Sequence, residues 1–120
     1  MTTVLVVDDI EEVGLLISRL LTLEGYTVLL AHQSEDARRL LAEHPDPIHL
    51  LITDVLMPGQ HGPALAAAAL SLRPQIRVLY ISAYDRGLLQ ERVNLDAEVP
   101  FLLKPFTPEE LLNKVRDVMG

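Results

Sequence analysis

Five short apolar runs, spaced so that a helical pattern fits between each pair, constrain this chain more than any other feature. They are Thr3 to Val7, Tyr26 to Ala31, Ile48 to Thr53, Arg77 to Ile81 and Val99 to Leu103. Each reads as a nearly continuous hydrophobic stretch rather than an alternation of apolar and polar residues. Strands covered on both faces have this look, and they are characteristically parallel with helical crossovers. The expected architecture is an α/β fold: a doubly wound, three-layer sandwich of five β-α units filling residues 1–120 as one domain.

The segments between the runs carry helix signals. Val13, Leu16, Ile17, Leu20 and Leu21 repeat at i, i+3, i+4, i+7 and i+8, the spacing of one apolar stripe, and Gly25 ends that helix. The second helix starts near Ser34, turns Ala37, Leu40 and Leu41 inward and stops before Pro45. Pro63 suits a first helical turn and Pro74 closes the third segment. The fourth, residues 85–93, has the weakest periodicity. The last is the clearest: Thr107 as N-cap, Pro108 at the first helical position and Glu110 at the third form a capping box, with Phe106 and Leu111 at the staple positions.

Composition narrows the function classes. A formal net charge of −7 repels phosphate backbones and anionic lipid, so neither nucleic acid nor a membrane surface is an expected direct partner, and a cation is. With no cysteine there are no disulfides, thiolate metal sites or thiol catalysis, in keeping with a reducing compartment. The N-terminal MTTVLVVDD has no basic region and reaches acids after a few apolar residues, unlike a signal peptide, and no run approaches the roughly 20 apolar residues of a membrane span. The expectation is a cytoplasmic domain.

The stretch LLITDVLMPG, residues 50–59, raises a sharper question: a buried strand ends on a lone acid, Asp54, just before a Pro-Gly turn. Other strands end the same way, the first at Asp8 and Asp9, the fourth at Ser82, the fifth at Lys104. In an open parallel sheet ligands bind at the carboxyl edge, beside the point where strand order reverses. With the order 2-1-3-4-5, strands one and three adjoin at that point and their three acids share one pocket. Each residue alone is ordinary turn or cap chemistry; the pattern lies in their joint occurrence at one edge of four strands. Three carboxylates that close raise each other's pKa unless a positive charge sits among them. Oxygen-only donors suit a hard ion, and an incomplete protein shell suits Mg²⁺. A cation, the Lys104 amine and the Ser82 hydroxyl around Asp54 form a site for phosphoryl transfer, with Asp54 as nucleophile.

At this point the residues resemble a known family, the receiver domain of two-component response regulators. LVVDD (Leu5 to Asp9), LLITDVLMPG, LYISAY (Leu79 to Tyr84) and PFLLKPFTPEEL (Pro100 to Leu111) look like its four signature stretches, in order and across essentially the whole chain. The wording of the second half is most similar to receivers of hybrid sensor histidine kinases. The resemblance implies a flavodoxin-like fold and a phosphorelay switch in which Asp54 accepts a phosphoryl group from a histidine of a sensor histidine kinase or histidine phosphotransfer domain. It implies Mg²⁺ held directly by Asp9, through water by Asp8, and by Asp54 and the Leu56 main-chain carbonyl. Lys104 would pair with a phosphoryl oxygen, Ser82 would turn toward the phosphoryl group after transfer, and Phe101 stands at the switch aromatic. Lys104-Pro105 matches a cis bond of the family. The output face would be helix four, strand five and helix five. Such a domain catalyses only its own phosphorylation and dephosphorylation and is not an enzyme with a free substrate.

Departures from the family pattern matter. Phe101 has no hydroxyl, so a tyrosine hydrogen bond is lost while ring burial is retained. Gln60-His61 replaces the small or acidic residues common after Met-Pro-Gly. Leu56 and Tyr84 flank the site with bulk, which would slow water's approach to the phosphoryl group. Leu15 lies about 200° round the first helix from Val13, with Gly14, Ser18 and Thr22, and is a candidate partner contact because the family's first helix docks the donor domain. His32, His44, His49 and His61 have no i, i+4 pairing and read as surface or loop residues rather than metal ligands.

Three competitors are weaker. A receiver-like interaction module that never takes phosphate would lack an acid or the lysine, and here the set is complete. An aspartyl-nucleophile phosphatase would want a second acid two residues after Asp54, where Leu56 stands. A flavin-binding protein would want Gly, Ser or Thr after strand one, where Asp8-Asp9-Ile10-Glu11-Glu12 repels phosphate.

Overall fold

The computed structural model describes residues 1–93, 95 and 98–120. Five strands, β1 (Thr3–Val7), β2 (Thr27–Ala31), β3 (Leu50–Asp54), β4 (Arg77–Ser82) and β5 (Phe101–Leu103), form one parallel sheet in the order β2-β1-β3-β4-β5. Helices α1 (Glu11–Leu23), α2 (Ser34–Glu43), α3 (Gly62–Leu72), α4 (Arg86–Val93) and α5 (Pro108–Met119) connect and follow them. Successive side chains of a strand point to opposite faces, which splits the core in two. Val4 and Val6 of β1, with Leu50, Ile52, Leu79 and Ile81, pack under Ile17 and Leu21 of α1 and Leu111 and Val115 of α5. Leu5 and Val7, with Leu51 and Tyr80, face Ala37 and Leu41 of α2, Leu65 and Ala69 of α3 and Leu89 of α4. Among the described residues no helix is long and apolar enough to cross a membrane.

Burial follows sheet position. β1 and β3 are buried at every residue, whereas β2 and β5, at the sheet edges, are only partly covered. Double coverage therefore holds for the inner strands and not for all five runs. The α5 capping box is present as read: Glu110 N–H donates to Thr107 Oγ1 at 3.1 Å and Thr107 N–H to Glu110 Oε1 at 2.9 Å. In α1 four of the five stripe residues, Val13, Ile17, Leu20 and Leu21, pack into the core as expected, and Leu16 departs from it. Leu16 is 53% exposed, and the inward positions are Gly14, Ile17 and Leu21. Gly14 faces the end of β2: a Cβ on it would lie 3.1 Å from Leu30, 3.6 Å from the His32 ring and 3.7 Å from Asp8 Cβ. Gly14 thus leaves the polar face it was assigned to with Leu15, and Leu16 moves to the rim.

Candidate functional site

β1 and β3 are neighbours in register, Val7 opposite Thr53, so their next residues lie side by side at the carboxyl edge. Carboxylate oxygens of Asp8, Asp9 and Asp54 lie within 4.8 Å of one another. Asp8 and Asp54 are buried while Asp9 is exposed. Lys104 reaches the pair from the end of β5. Its Nζ donates to Asp54 Oδ1 at 2.8 Å and to Asp8 Oδ2 at 3.0 Å. The remaining Asp8 oxygen, Oδ1, accepts from Ile10 N–H at 2.9 Å. Lys104 is itself placed by its main-chain N–H on the Ser82 carbonyl at 2.7 Å, and the Lys104-Pro105 bond is cis.

Charge makes the cluster unfinished. Burial, then the side-chain hydrogen bond and the charge of Asp8, push the Asp54 carboxyl up to about 8 against the pull of Lys104. Burial lowers the Lys104 ammonium, but Asp54 and Asp8 outweigh it and the net shift is upward. The two directions agree: one ammonium serves two buried acids, and the Asp54 carboxyl holds a proton that a cation could replace. Three carboxylates less one ammonium leave two negative charges, the charge of a divalent ion, and every donor is a hard oxygen. The residues present fit Mg²⁺.

The other candidates take definite places. Ser82 is buried, and its Oγ accepts from Tyr84 N–H at 3.0 Å, tying the β4-α4 loop to itself. Leu56, half-buried, lines a groove of about 560 Å³ with Met57, Pro58, His61, Arg92 and Val93. Tyr84 is 48% exposed, with the Arg92 guanidinium 5.9 Å from its ring centroid. The Phe101 ring is half-buried under the Arg86 guanidinium at 5.1 Å, while Arg86 Nη2 donates to the Val99 carbonyl at 2.8 Å. Leu15 lies apart from the cluster, 50% exposed on α1 beside the exposed Leu16.

Two further residues touch the site, neither singled out from the sequence. Gly62, at the start of α3, leaves so little room that a Cβ there would lie 2.2 Å from the Asp54 carbonyl oxygen. Its N–H donates to the Val55 carbonyl at 2.7 Å. The available signal was a glycine immediately before Pro63 at a helix start. His32, read as surface or loop, is half-buried and its Nδ1 lies 3.2 Å from the Asp8 carbonyl oxygen. His49 is likewise structural, its Nδ1 accepting from Thr3 N–H at 2.9 Å.

Residues 4–116 match the response regulator receiver domain family. Similar proteins include the sensor kinase CckA of Brucella abortus, 30% identical over 98% of this chain and 12% of that protein. Another is the transcriptional regulatory protein CpxR of Escherichia coli, 37% identical over 99% of this chain and 50% of that protein. The chain thus spans half or less of these two relatives. Among solved structures, the receiver domain of a hybrid histidine kinase CckA superposes with a TM-score of 0.82 at 34% identity, covering 98% of this chain and 99% of that one. The response regulator protein TrrA of Thermotoga maritima, in complex with Mg²⁺ and BeF, gives 0.80 at 27% identity, covering 98% and 99%.

Proposed function

The chain belongs to the response regulator receiver domain family, and on that premise we propose that Asp54 is the phosphoacceptor of a two-component phosphorelay. Asp8, Asp9, Asp54 and the Leu56 main-chain carbonyl would hold Mg²⁺. The observation that carries this reading is the convergence of three carboxylates at the ends of two adjoining strands, two of them on one ammonium. Mg²⁺, when bound, supplies positive charge beside the phosphoryl oxygens as the group moves. The side chains do the rest. An Asp54 carboxylate oxygen attacks phosphorus while the N–P bond to the donor imidazole breaks, leaving an acyl phosphate on Asp54 and the electron pair on the imidazole nitrogen. Lys104 turns its ammonium from the Asp54 carboxylate to a phosphoryl oxygen. Ser82 gives up the bond from Tyr84 N–H, turns its hydroxyl to donate to the same group and draws the β4-α4 loop inward, and Phe101 follows by burying its ring, a population shift on the face of α4, β5 and α5. The domain modifies itself rather than turning over a free substrate. Its cysteine-free composition fits a reducing compartment, and we place it in the cytoplasm.

Incubation with a small phosphodonor and Mg²⁺ is expected to add one phosphoryl group to the peptide containing Asp54, read by mass spectrometry. Omission of Mg²⁺ or the change Asp54→Asn abolishes it; undiminished labelling of D54N at another residue would refute the assignment. The bulk of Leu56 and Tyr84 beside the site shields the acyl phosphate from water. Replacing Leu56 with Asn should shorten the phosphoryl lifetime severalfold, measured by loss of the phosphorylated mass with time, and an unchanged lifetime would contradict the shielding.

The donor is a sensor histidine kinase or a histidine phosphotransfer domain, and exposed Leu15 on α1 is a contact for it. Leu15→Glu is expected to slow transfer from a phosphohistidine protein while leaving phosphorylation by a small donor intact. Equal slowing of both would place Leu15 outside the docking surface.

A further inference from the structure

Asp9 is the odd member of the acid cluster. Asp8 and Asp54 are buried and share Lys104, whereas the Asp9 carboxylate is exposed and has no side-chain hydrogen bond or ion pair among the described residues. An unrestrained carboxylate at the end of a strand samples several rotamers, and holding it in one costs entropy when a ligand binds. Its direction can be set only through its main chain. That main chain is clamped one peptide upstream: Asp8 N–H donates to the Ala31 carbonyl at 3.2 Å, and the Asp8 carbonyl faces His32 Nδ1 at 3.2 Å. Both contacts come from the end of β2. The carbonyl contact bears on the plane of the Asp8–Asp9 peptide, from which the Asp9 Cα–Cβ bond departs, and on the other side of Asp9 Ile10 N–H donates to Asp8 Oδ1 at 2.9 Å. Against an acceptor oxygen the imidazole donates from Nδ1. The ring's other side lines a cleft of about 550 Å³ together with Asp9, Met57, Pro58 and Gly59. Gly14 packs under the same ring, where a Cβ would lie 3.6 Å from His32 and 3.1 Å from the end of Leu30.

We propose that His32 is a positioning residue for the divalent-cation site, fixing the Asp8–Asp9 peptide through the Asp8 carbonyl and thereby aiming the Asp9 carboxylate at the ion. This rests on the reading of Asp8, Asp9 and Asp54 as that site. Groups that orient metal ligands from behind typically change affinity by about 10- to 100-fold when removed, and a single main-chain clamp belongs at the lower end.

The test compares three substitutions by amide chemical-shift titration with MgCl₂, alongside thermal unfolding without divalent ions. Asn places its amide nitrogen where imidazole has Nδ1, whereas Gln carries a donor one bond further out and Leu carries none. His32→Asn is expected to bind Mg²⁺ close to wild type, and His32→Gln and His32→Leu about tenfold more weakly, with all three folded in the absence of metal. Wild-type affinity in Gln and Leu overturns the proposal. Equal weakening in Asn, Gln and Leu also overturns it, because then only the fit of the ring mattered. If Leu fails to fold, the Asn-to-Gln comparison decides alone. Should the wild-type protein itself show no saturable Mg²⁺ response, the cation-site reading fails first, and that result is distinct from the others.

Discussion

Lys104→Met is expected to open a stability gap from wild type that widens as pH rises and closes on addition of Mg²⁺. The ammonium is shared by Asp54 at 2.8 Å and Asp8 at 3.0 Å, both buried. Removing one partner from a buried ion pair costs about 3–5 kcal/mol when the remaining charge has no recourse. Here it has one, protonation. The Asp54 carboxyl already sits at about 8 in the folded protein against 3.8 in the unfolded reference. Between those values the folded state holds the proton more tightly, so this group's contribution to stability falls as pH rises toward 8. Without the amine the folded value climbs further and the loss continues above that pH. Near pH 6 Asp54 holds its proton in both proteins and the gap is smaller, reflecting the lost partner of Asp8; near pH 8 and above the variant alone must still hold that proton, and the gap grows. A divalent ion replaces the proton, so Mg²⁺ should narrow the gap most at high pH, where the carboxylates bind it unprotonated. Thermal unfolding at two pH values, with EDTA or with MgCl₂, reads all four corners. A gap that narrows with rising pH, or that Mg²⁺ leaves unchanged, would show that Lys104 does not neutralise this cluster.

What could be read in advance divides by how local the cause is. The α5 cap is a matter of four consecutive residues, Thr107 to Glu110, and both of its hydrogen bonds are present. The β1 and β3 runs carry their burial in their composition, because an inner strand must be apolar on both faces. From those two strands and one reversal of order, the meeting of Asp8, Asp9 and Asp54 followed without any side-chain detail. Leu16 shows the limit. Its spacing from Val13 and Leu20 is helical, but spacing cannot tell which edge of the stripe meets the sheet, and it is Gly14 on the other edge that faces Leu30 and His32. His32 and Gly62 were illegible for a related reason. Each acts on another residue's main-chain carbonyl, Asp8 for the first and Asp54 for the second. A carbonyl is present at every position, so no residue type advertises that one of them has been approached.

Gly62→Ala should be among the most damaging single-methyl additions to this chain, and Gly59→Ala supplies its contrast. A Cβ on Gly62 would lie 2.2 Å from the Asp54 carbonyl oxygen and 3.1 Å from both Asp54 C and Val55 Cα. All three are backbone atoms, so no rotamer change relieves the overlap. Either the start of α3 moves off the sheet, or the end of β3 moves with Asp54 on it. The first loses the 2.7 Å hydrogen bond from Gly62 N–H to the Val55 carbonyl. The second moves the Asp54 carboxylate, whose Oδ1 is held 2.8 Å from Lys104. Overpacking of this severity costs about 3 kcal/mol or more. Gly59 is different in kind: its φ is +84° with nothing within 4 Å of a built Cβ, so alanine there meets only the left-handed backbone cost of about 1–2 kcal/mol. Urea unfolding should therefore rank Gly62→Ala well below Gly59→Ala. Phosphoryl uptake from a small donor, measured where each variant is still folded, should fall much further for Gly62 than for Gly59. Comparable stability and uptake in the two variants would mean that α3 can slide away from β3 freely, and that the Asp54 carbonyl is not pinned between them.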